Sequence, residues 1–403
     1  MKKIAFSLTL ATTVLSAGLA LSQAPDDASK IIRGHYQAIL ADCAACHTAP
    51  GGKPLSGGLP LETPFGQLIP PNITPDKATG IGNWTEEDFH RALKTGIGHD
   101  GKRLYPAMPY PAYTKMKDED ISSLWSYLRT VEPVFNPVDA NQLPFPFNIR
   151  LSMLGWNMIN FEGGAFKPDP SKSPEWNRGA YIVQGPGHCG TCHSPKTFLG
   201  ADKVDEALQG ASLQGWYAPN ITGNSYIGIG SWSEDEIVQY LKSGANGHTI
   251  ASGPMAEAIQ ASTSLMTDAD AKAIATYLKS TEGGPTGKPQ PVSASDPHMT
   301  AGAAIYHDTC SACHGGAGKG ARQLFPALAG SSIVQQPSAE TLVRLVLNGS
   351  QGVHTPEAKT QPSMPSLGWR LSDQQVADVL TYIRNSWGNA APAVQVSDIA
   401  SRR

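Results

Sequence analysis

The first apolar run extends from Ile4 to Leu21, between Met1-Lys2-Lys3 and Ser22-Gln23-Ala24. A basic start, an apolar stretch and small residues at its end read as a secretory leader cleaved near Ala24. A retained membrane anchor is the alternative, since the run is about long enough to span a bilayer. No other stretch reaches the ~18 apolar residues that a membrane helix needs. Beyond it the chain holds short helical patterns between segments rich in Gly (41 residues) and Pro (32 residues).

Those patterns recur three times. Opening helices are expected through Ile31-Ile32-Arg33-Gly34-His35-Tyr36, Arg178-Gly179-Ala180-Tyr181 and Ala301-Gly302-Ala303-Ala304-Ile305-Tyr306. Amphipathic closing helices are expected to end at Tyr127-Leu128, Tyr277-Leu278 and Tyr382-Ile383. A glycine on each opening helix lets the closing helix approach closely, with the aromatic packed across the crossing. Start signals for the closing helices are read in Ser233-x-x-Glu236, Ser372-x-x-Gln375 and Thr85-x-x-Asp88. The first two repeats also share Pro71-Asn72-Ile73-Thr74 with Pro219-Asn220-Ile221-Thr222, and Gly80-Ile81-Gly82-x-Trp84 with Gly228-Ile229-Gly230-x-Trp232. Both pairs are offset by 148 residues.

The expected organisation is mainly α and loop-rich: a leader (1–24), a first domain (25–135), a Pro- and Phe-rich linker (136–176), a second domain (177–281), an extended Gly-, Pro- and Ser-rich linker (282–297), a third domain (298–390) and a tail (391–403). Charged residues make up only 16% of the chain and the formal net charge is −3. No basic patch or charged tail is present, which argues against nucleic acid as a partner.

The cysteines narrow the chemistry. All six fall in three copies of one motif: Cys43-Ala44-Ala45-Cys46-His47, Cys189-Gly190-Thr191-Cys192-His193 and Cys310-Ser311-Ala312-Cys313-His314. C-x-x-C-H is the attachment site of c-type haem. Two thiols add across two vinyl groups of one haem, and the following His becomes the proximal iron ligand. A redox dithiol or half a zinc site are the rival readings of a lone C-x-x-C. Neither requires His after each second Cys, and zinc ribbons pair their Cys pairs, which three copies cannot complete. The motif His residues are offset by 146 between the first two repeats.

A haem that only carries electrons takes a second strong axial ligand, Met or His. Met108, Met255 and Met364 each lie in a Pro-containing loop between motif and closing helix. Proline stiffens such a loop and lowers the entropy lost in holding a thioether on iron. Packing in the core is the commoner fate of Met. Met116 and Met266 are the rival candidates, placed where core packing is expected. The remaining His residues read as surface or supporting residues; His188 and His307 lie close enough to their motifs to tune a haem edge.

The three motifs, the Gly-Ile-Gly-x-Trp segments and Leu104-Tyr105-Pro106-Ala107-Met108-Pro109-Tyr110 together resemble the triple-haem cytochrome c subunit of membrane-bound bacterial dehydrogenases that oxidise alcohols, aldehydes, gluconate, sorbitol or fructose. The resemblance covers nearly the whole mature chain. It implies three consecutive cytochrome c-like domains and three covalently bound haem c. It also implies periplasmic residence at the outer face of the inner membrane. The chain would be no catalyst itself: electrons would arrive from a catalytic subunit of flavin, quinone or molybdenum type and leave to ubiquinone or a terminal oxidase. Several relatives in that family carry a longer C-terminal tail with a membrane-associating segment. This chain stops soon after Trp387, so peripheral association through a partner or an apolar surface is expected instead. An autonomous haem peroxidase or reductase, or a free periplasmic shuttle, are the other functions compatible with these motifs. In the first linker, Leu143 to Phe161 is strongly apolar and reads either as a docking strip or as a core shared by the first two domains.

Overall fold

A computed structural model describes residues 24–284, 287–360 and 362–403. The leader read in residues 1–23 lies outside the described residues. The fold is mainly α, with strands of only two or three residues.

The first unit contains α1 (Ala24–Leu40), α2 (Cys43–His47), α3 (Glu86–Thr95), α4 (Tyr110–Tyr113) and α5 (Asp118–Leu128), with β1 (Leu61–Thr63) and β2 (Gly66–Leu68) as a hairpin. In the first linker, β3 (Asn141–Gln142) pairs with β2, with Leu68 opposite Asn141, and α6 spans Ser152–Asn160. The second unit contains α7 (Pro174–Gln184), α8 (Gly190–His193), the hairpin β4 (Ala211–Leu213) and β5 (Trp216–Ala218), α9 (Glu234–Ser243), α10 (Pro254–Ala261) and α11 (Asp268–Ser280). The third unit contains α12 (Pro297–Ile305), α13 (Ser311–His314), α14 (Glu340–Asn348), β6 (Ser350–Gln351), β7 (Ser363–Met364), α15 (Asp373–Arg384) and α16 (Val396–Ala400).

In every unit the opening and closing helices form the main packing pair: α1 with α5, α7 with α11, α12 with α15. The glycine crossing expected from the sequence is present three times. A Cβ on Gly34, Gly179 or Gly302 would overlap the carbonyl of Ser123, Ala273 or Asp378 and lie 2.7–2.8 Å from the Cβ of Tyr127, Tyr277 or Tyr382. Around each crossing sits a separate apolar core. Ile121, Leu124 and Leu128 belong to the first, Ile182, Ile274 and Leu278 to the second, Val343, Val376 and Leu380 to the third.

Three expectations are corrected. The capping boxes at Thr85 and Ser233 open the middle helices α3 and α9; only Ser372 caps a closing helix. The motifs also do not simply end the opening helices. Asp42 (φ 47°) and His188 (φ 35°) adopt left-handed backbone just before Cys43 and Cys189 and turn the motif onto its own short helix. In the third unit a π-helical turn, Tyr306–Cys310, makes the same transition. Residues 391–403, set apart in the sequence as a tail, pack back instead: Val394 and Ile399 are buried in the third core and Arg403 donates to Leu371 O at 2.7 Å.

The first two units clasp each other reciprocally. Tyr36 of α1 donates to Asp270 of α11 at 2.7 Å and accepts from Thr267 N at 3.1 Å. Tyr181 of α7 donates to Asp120 of α5 and accepts from Lys117 N at 3.2 Å. The exchange is that of a pseudo-two-fold axis. Arg178 adds a bidentate pair to Asp270, 2.7 Å on both arms, and Leu40 of α1 is buried in the second unit's core.

Gly34→Ala, Gly179→Ala and Gly302→Ala are each expected to cost about 3 kcal/mol, because backbone cannot move aside as a flexible side chain would. Gly155→Ala, in α6 with open space around it, should instead be neutral or mildly stabilising; thermal unfolding of the four variants checks the contrast. Replacing both Tyr36 and Tyr181 by Phe removes two charge-assisted bonds and is expected to lower stability by about 2–4 kcal/mol, read in denaturant titrations.

Candidate functional site: three histidine-bearing turns and their loops

Each motif histidine is aimed by a backbone carbonyl. His47 Nδ1 lies 2.7 Å from Pro71 O, His193 Nδ1 2.7 Å from Pro219 O, and His314 Nδ1 3.0 Å from Pro326 O. A carbonyl only accepts, so Nδ1 carries the proton and Nε2 is left with its lone pair. Burial holds all three imidazoles below the usual histidine pKa, which favours the neutral, ligating form.

The repeated Pro-Asn-Ile-Thr segment supplies that carbonyl in the first two units. Asn72 Oδ1 accepts from Thr74 N (2.9 Å) and Thr74 Oγ1 (2.7 Å), while Asn72 Nδ2 donates to Val134 O at 2.6 Å. Asn220 repeats the turn with Thr222, at 2.9 and 2.6 Å. Both asparagines and both threonines are buried. The loop then returns to the motif: Gly57 N donates to His47 O and Gly210 N to His193 O, each at 2.7 Å. The third unit has no such segment and uses Pro326, with Gly320 N bonded to His314 O at 2.9 Å. In the sequence this segment was visible only as a repeat, because a backbone carbonyl leaves no residue signature.

The six cysteines form no disulfide with one another. Burial pushes the Cys43, Cys46 and Cys189 thiols up to about 12 and Cys310 up to about 11. Reactive dithiols require depressed pKa values, so these environments do not suit redox exchange. Among the described residues no group of three or more His, Cys, Asp or Glu is gathered to hold a metal ion directly. The donors present are a cysteine pair and an oriented imidazole on one turn, which fit a covalently attached haem.

The methionines differ in burial. Met116 and Met266 are buried core residues. Met108, Met255 and Met364 are half-buried, and each packs against the same core as the first cysteine of its own unit: Cys43, Cys189 and Cys310 respectively. Met108 is held by hairpin-like bonds, Met108 N to Tyr105 O at 3.0 Å and Tyr110 N to Met108 O at 2.7 Å. Met255 follows Gly253 (φ 56°) and Pro254 at the start of α10. Met364 sits in β7, paired with Ser350.

The first two motifs are neighbours. Helix α10, which bears Met255, packs on α2, and Cys192 lies close enough to Cys46 to add to the rise in its pKa. His188 is half-buried at this junction, with Nε2 3.3 Å from Ala41 O and its ring edge-on to Tyr113 of the first unit. It therefore joins the units as well as preceding Cys189. His99 and His248, read as surface residues, stack on Trp84 and Trp232 at 22° and 6°. Each lies beside the acid of a capping box, 2.9 Å from Asp88 and 3.2 Å from Glu236.

Such a repeated fold, with an imidazole and a cysteine pair on each motif turn, defines a cytochrome c. The chain belongs to the cytochrome c family, which it matches over residues 33–132, 176–282 and 299–387; haem c is accordingly its covalently bound cofactor. It is 40% identical to the fructose dehydrogenase cytochrome subunit of Gluconobacter japonicus, over 98% of this chain and 89% of that one. It is 39% identical to the gluconate 2-dehydrogenase cytochrome c subunit of Pantoea cypripedii, over all of this chain and 95% of that one. The cytochrome c subunit of the quinone alcohol dehydrogenase of Gluconacetobacter polyoxogenes is 39% identical, over all of this chain and 90% of that one.

Asn220→Leu should cost about 2–4 kcal/mol, since it removes an acceptor serving two buried groups. Thr222→Val, which deletes only one of those donors, should cost about 1 kcal/mol. Thermal unfolding of the haem-loaded protein followed in the visible band checks the ordering.

Proposed function

We propose that this chain is the electron-carrying subunit of a bacterial dehydrogenase complex and binds three haem c. Cys43 and Cys46, Cys189 and Cys192, and Cys310 and Cys313 would hold the three macrocycles. His47, His193 and His314 would ligate the irons on one side and Met108, Met255 and Met364 on the other. When bound, haem supplies reversible one-electron storage, and axial Met raises its potential. The observation that carries this reading is the motif histidine bonded through Nδ1 to a proline carbonyl in all three units.

The protein's own residues supply orientation, burial and spacing. The proline carbonyls fix the imidazole tautomer, the cores exclude water, and the Tyr36–Asp270 and Tyr181–Asp120 exchange holds the first two motifs together. The relatives' names support a catalytic dehydrogenase as electron donor, and ubiquinone or a terminal oxidase is the acceptor that we favour. The complex would sit in the periplasm against the outer face of the inner membrane, behind a secretory leader. The domain limits proposed are 25–135, 177–281 and 298–390, the last extended by the packed segment 391–403.

Pyridine haemochrome analysis of the purified protein is expected to give three haems per chain, and Cys189→Ser/Cys192→Ser to reduce that to two. Carbon monoxide should not bind rapidly to the reduced wild type. Fewer than three haems, or one full equivalent of rapid carbon monoxide binding, would sink the reading in favour of fewer cofactors or an open-site haem enzyme.

A further inference from the structure

The first linker is half core and half surface. Trp156 of α6 is buried against Tyr110 and Ala201, and Met153 packs beside Leu104 and Tyr105. The opposite side of the same helix is bare: Leu151 is 71% exposed, Met158 81% and Ile159 74%, with Leu154 also exposed. Phe145, Phe147 and Ile149 extend this strip upstream. Phe198, 95% exposed, and Leu199 join it from the second unit, where Trp156 Nε1 donates to Leu199 O at 2.8 Å. A soluble surface rarely leaves so continuous an apolar patch uncovered.

The chemistry of the strip selects its occupant. No charged side chain occurs from Leu151 to Phe161. Its polar side chains are already engaged within the chain. Ser152 Oγ donates to Ile149 O (2.6 Å), Asn160 Nδ2 donates to Trp156 O (3.0 Å), and Asn157 Oδ1 accepts from Tyr110. Protein interfaces carry about one hydrogen bond per 100–200 Å², and this face offers none from α6. Hydrocarbon asks for none. At the start of the strip Arg150 is tied down, its guanidinium over the Tyr105 ring and donating to Arg103 O, and only Lys102 is exposed nearby.

We propose that the strip 145–159, with Phe198 and Leu199, docks on the surface of a lipid bilayer, dipping its aliphatic and aromatic side chains into the interface. This deepens and rests on the reading of the chain as an electron-carrying subunit held at a membrane. The buried side of the same helix covers the Met108 loop through Tyr110 and adjoins the loop after His193, so the docked face lies on the outside of that cover. Attachment is driven by apolar burial, so it does not depend on anionic lipid.

The test is flotation of the haem-loaded full-length chain with phosphatidylcholine vesicles, with and without phosphatidylglycerol. Wild type should float with both and persist in high salt. The exposed-site variant Leu151→Ser/Met158→Ser/Ile159→Ser should partition at least about tenfold less, given the apolar area it forfeits. Equal flotation of the variant, or binding only to anionic vesicles that salt abolishes, overturns the proposal. So does protection of the strip from hydroxyl-radical labelling in a lipid-free complex with the catalytic subunit, which would make it a protein interface. Haem content and co-purification with the dehydrogenase, measured on the same samples, report separately on the electron-carrier reading.

Discussion

Contact between backbones at three glycines is the constraint on which the rest of this molecule hangs. At Gly34, Gly179 and Gly302 the opening helix lies so close to the closing helix that no Cβ fits between them. That contact sets where each opening helix ends and hence where the motif turn begins. It also brings Tyr127, Tyr277 and Tyr382 across the crossing, where they border the motif cysteines' cores. The segment that follows each motif turn is largely loop, and loops need anchors. Here the anchors are a carbonyl bonded to the motif imidazole and a glycine amide bonded to the same histidine's carbonyl. Moving the helices apart by the width of a methyl group would misplace all of them together.

Repetition then acquires a second use. The first two units share a layout, so the tyrosine two residues after the crossing glycine and the aspartate in the closing helix recur in both. Each tyrosine reaches the other unit's aspartate, and each accepts from an amide at the start of the other's closing helix. A two-fold arrangement of similar units needs only one good contact, because symmetry makes it twice. The consequence is that Cys46 and Cys192 come to lie close together at the same junction. Short separation of the two motif turns follows from the clasp, without any residue set aside for it.

What could be read from the amino-acid order follows from how local each interaction is. C-x-x-C-H is legible because the covalent chemistry lies within five residues. The glycine crossing is legible because it repeats at matched places with an aromatic partner. Met116 and Met266, read as core residues from their place at the closing helices, are buried. The capping boxes at Thr85 and Ser233 were recognisable as helix starts, but which helix they open depends on chain length between elements, so they were credited to the wrong one. The proline carbonyls were invisible, since any residue can offer a carbonyl. The clasp joins residues more than two hundred positions apart, such as Tyr36 and Asp270. Nor could pattern alone divide α6 into a buried and a bare side, because both sides are apolar and only the surrounding fold distinguishes them.

The third unit departs from the other two, and its departure ties it to the second. At the end of its closing helix Arg384 is almost fully buried, and burial pushes its guanidinium down to about 10. Its partners are carbonyls: Val334 at 3.1 Å, Gln336 at 2.9 Å and Pro392 at 3.1 Å. The corresponding Lys279 and Arg129 also meet carbonyls, of Trp232 and of Gly82, but from more exposed positions. A buried cation without a carboxylate is tolerable only if its donors are held on oxygen, so the segment 334–337 is pinned. Gln336 then reaches into the second unit. Its Nε2 donates to Ile227 O at 2.6 Å and its Oε1 accepts from Asn220 N at 3.2 Å. Asn220 is the residue next to Pro219, whose carbonyl aims His193. The buried charge of the third unit is thus connected, through one glutamine, to the imidazole of the second, and the three units position their sites jointly.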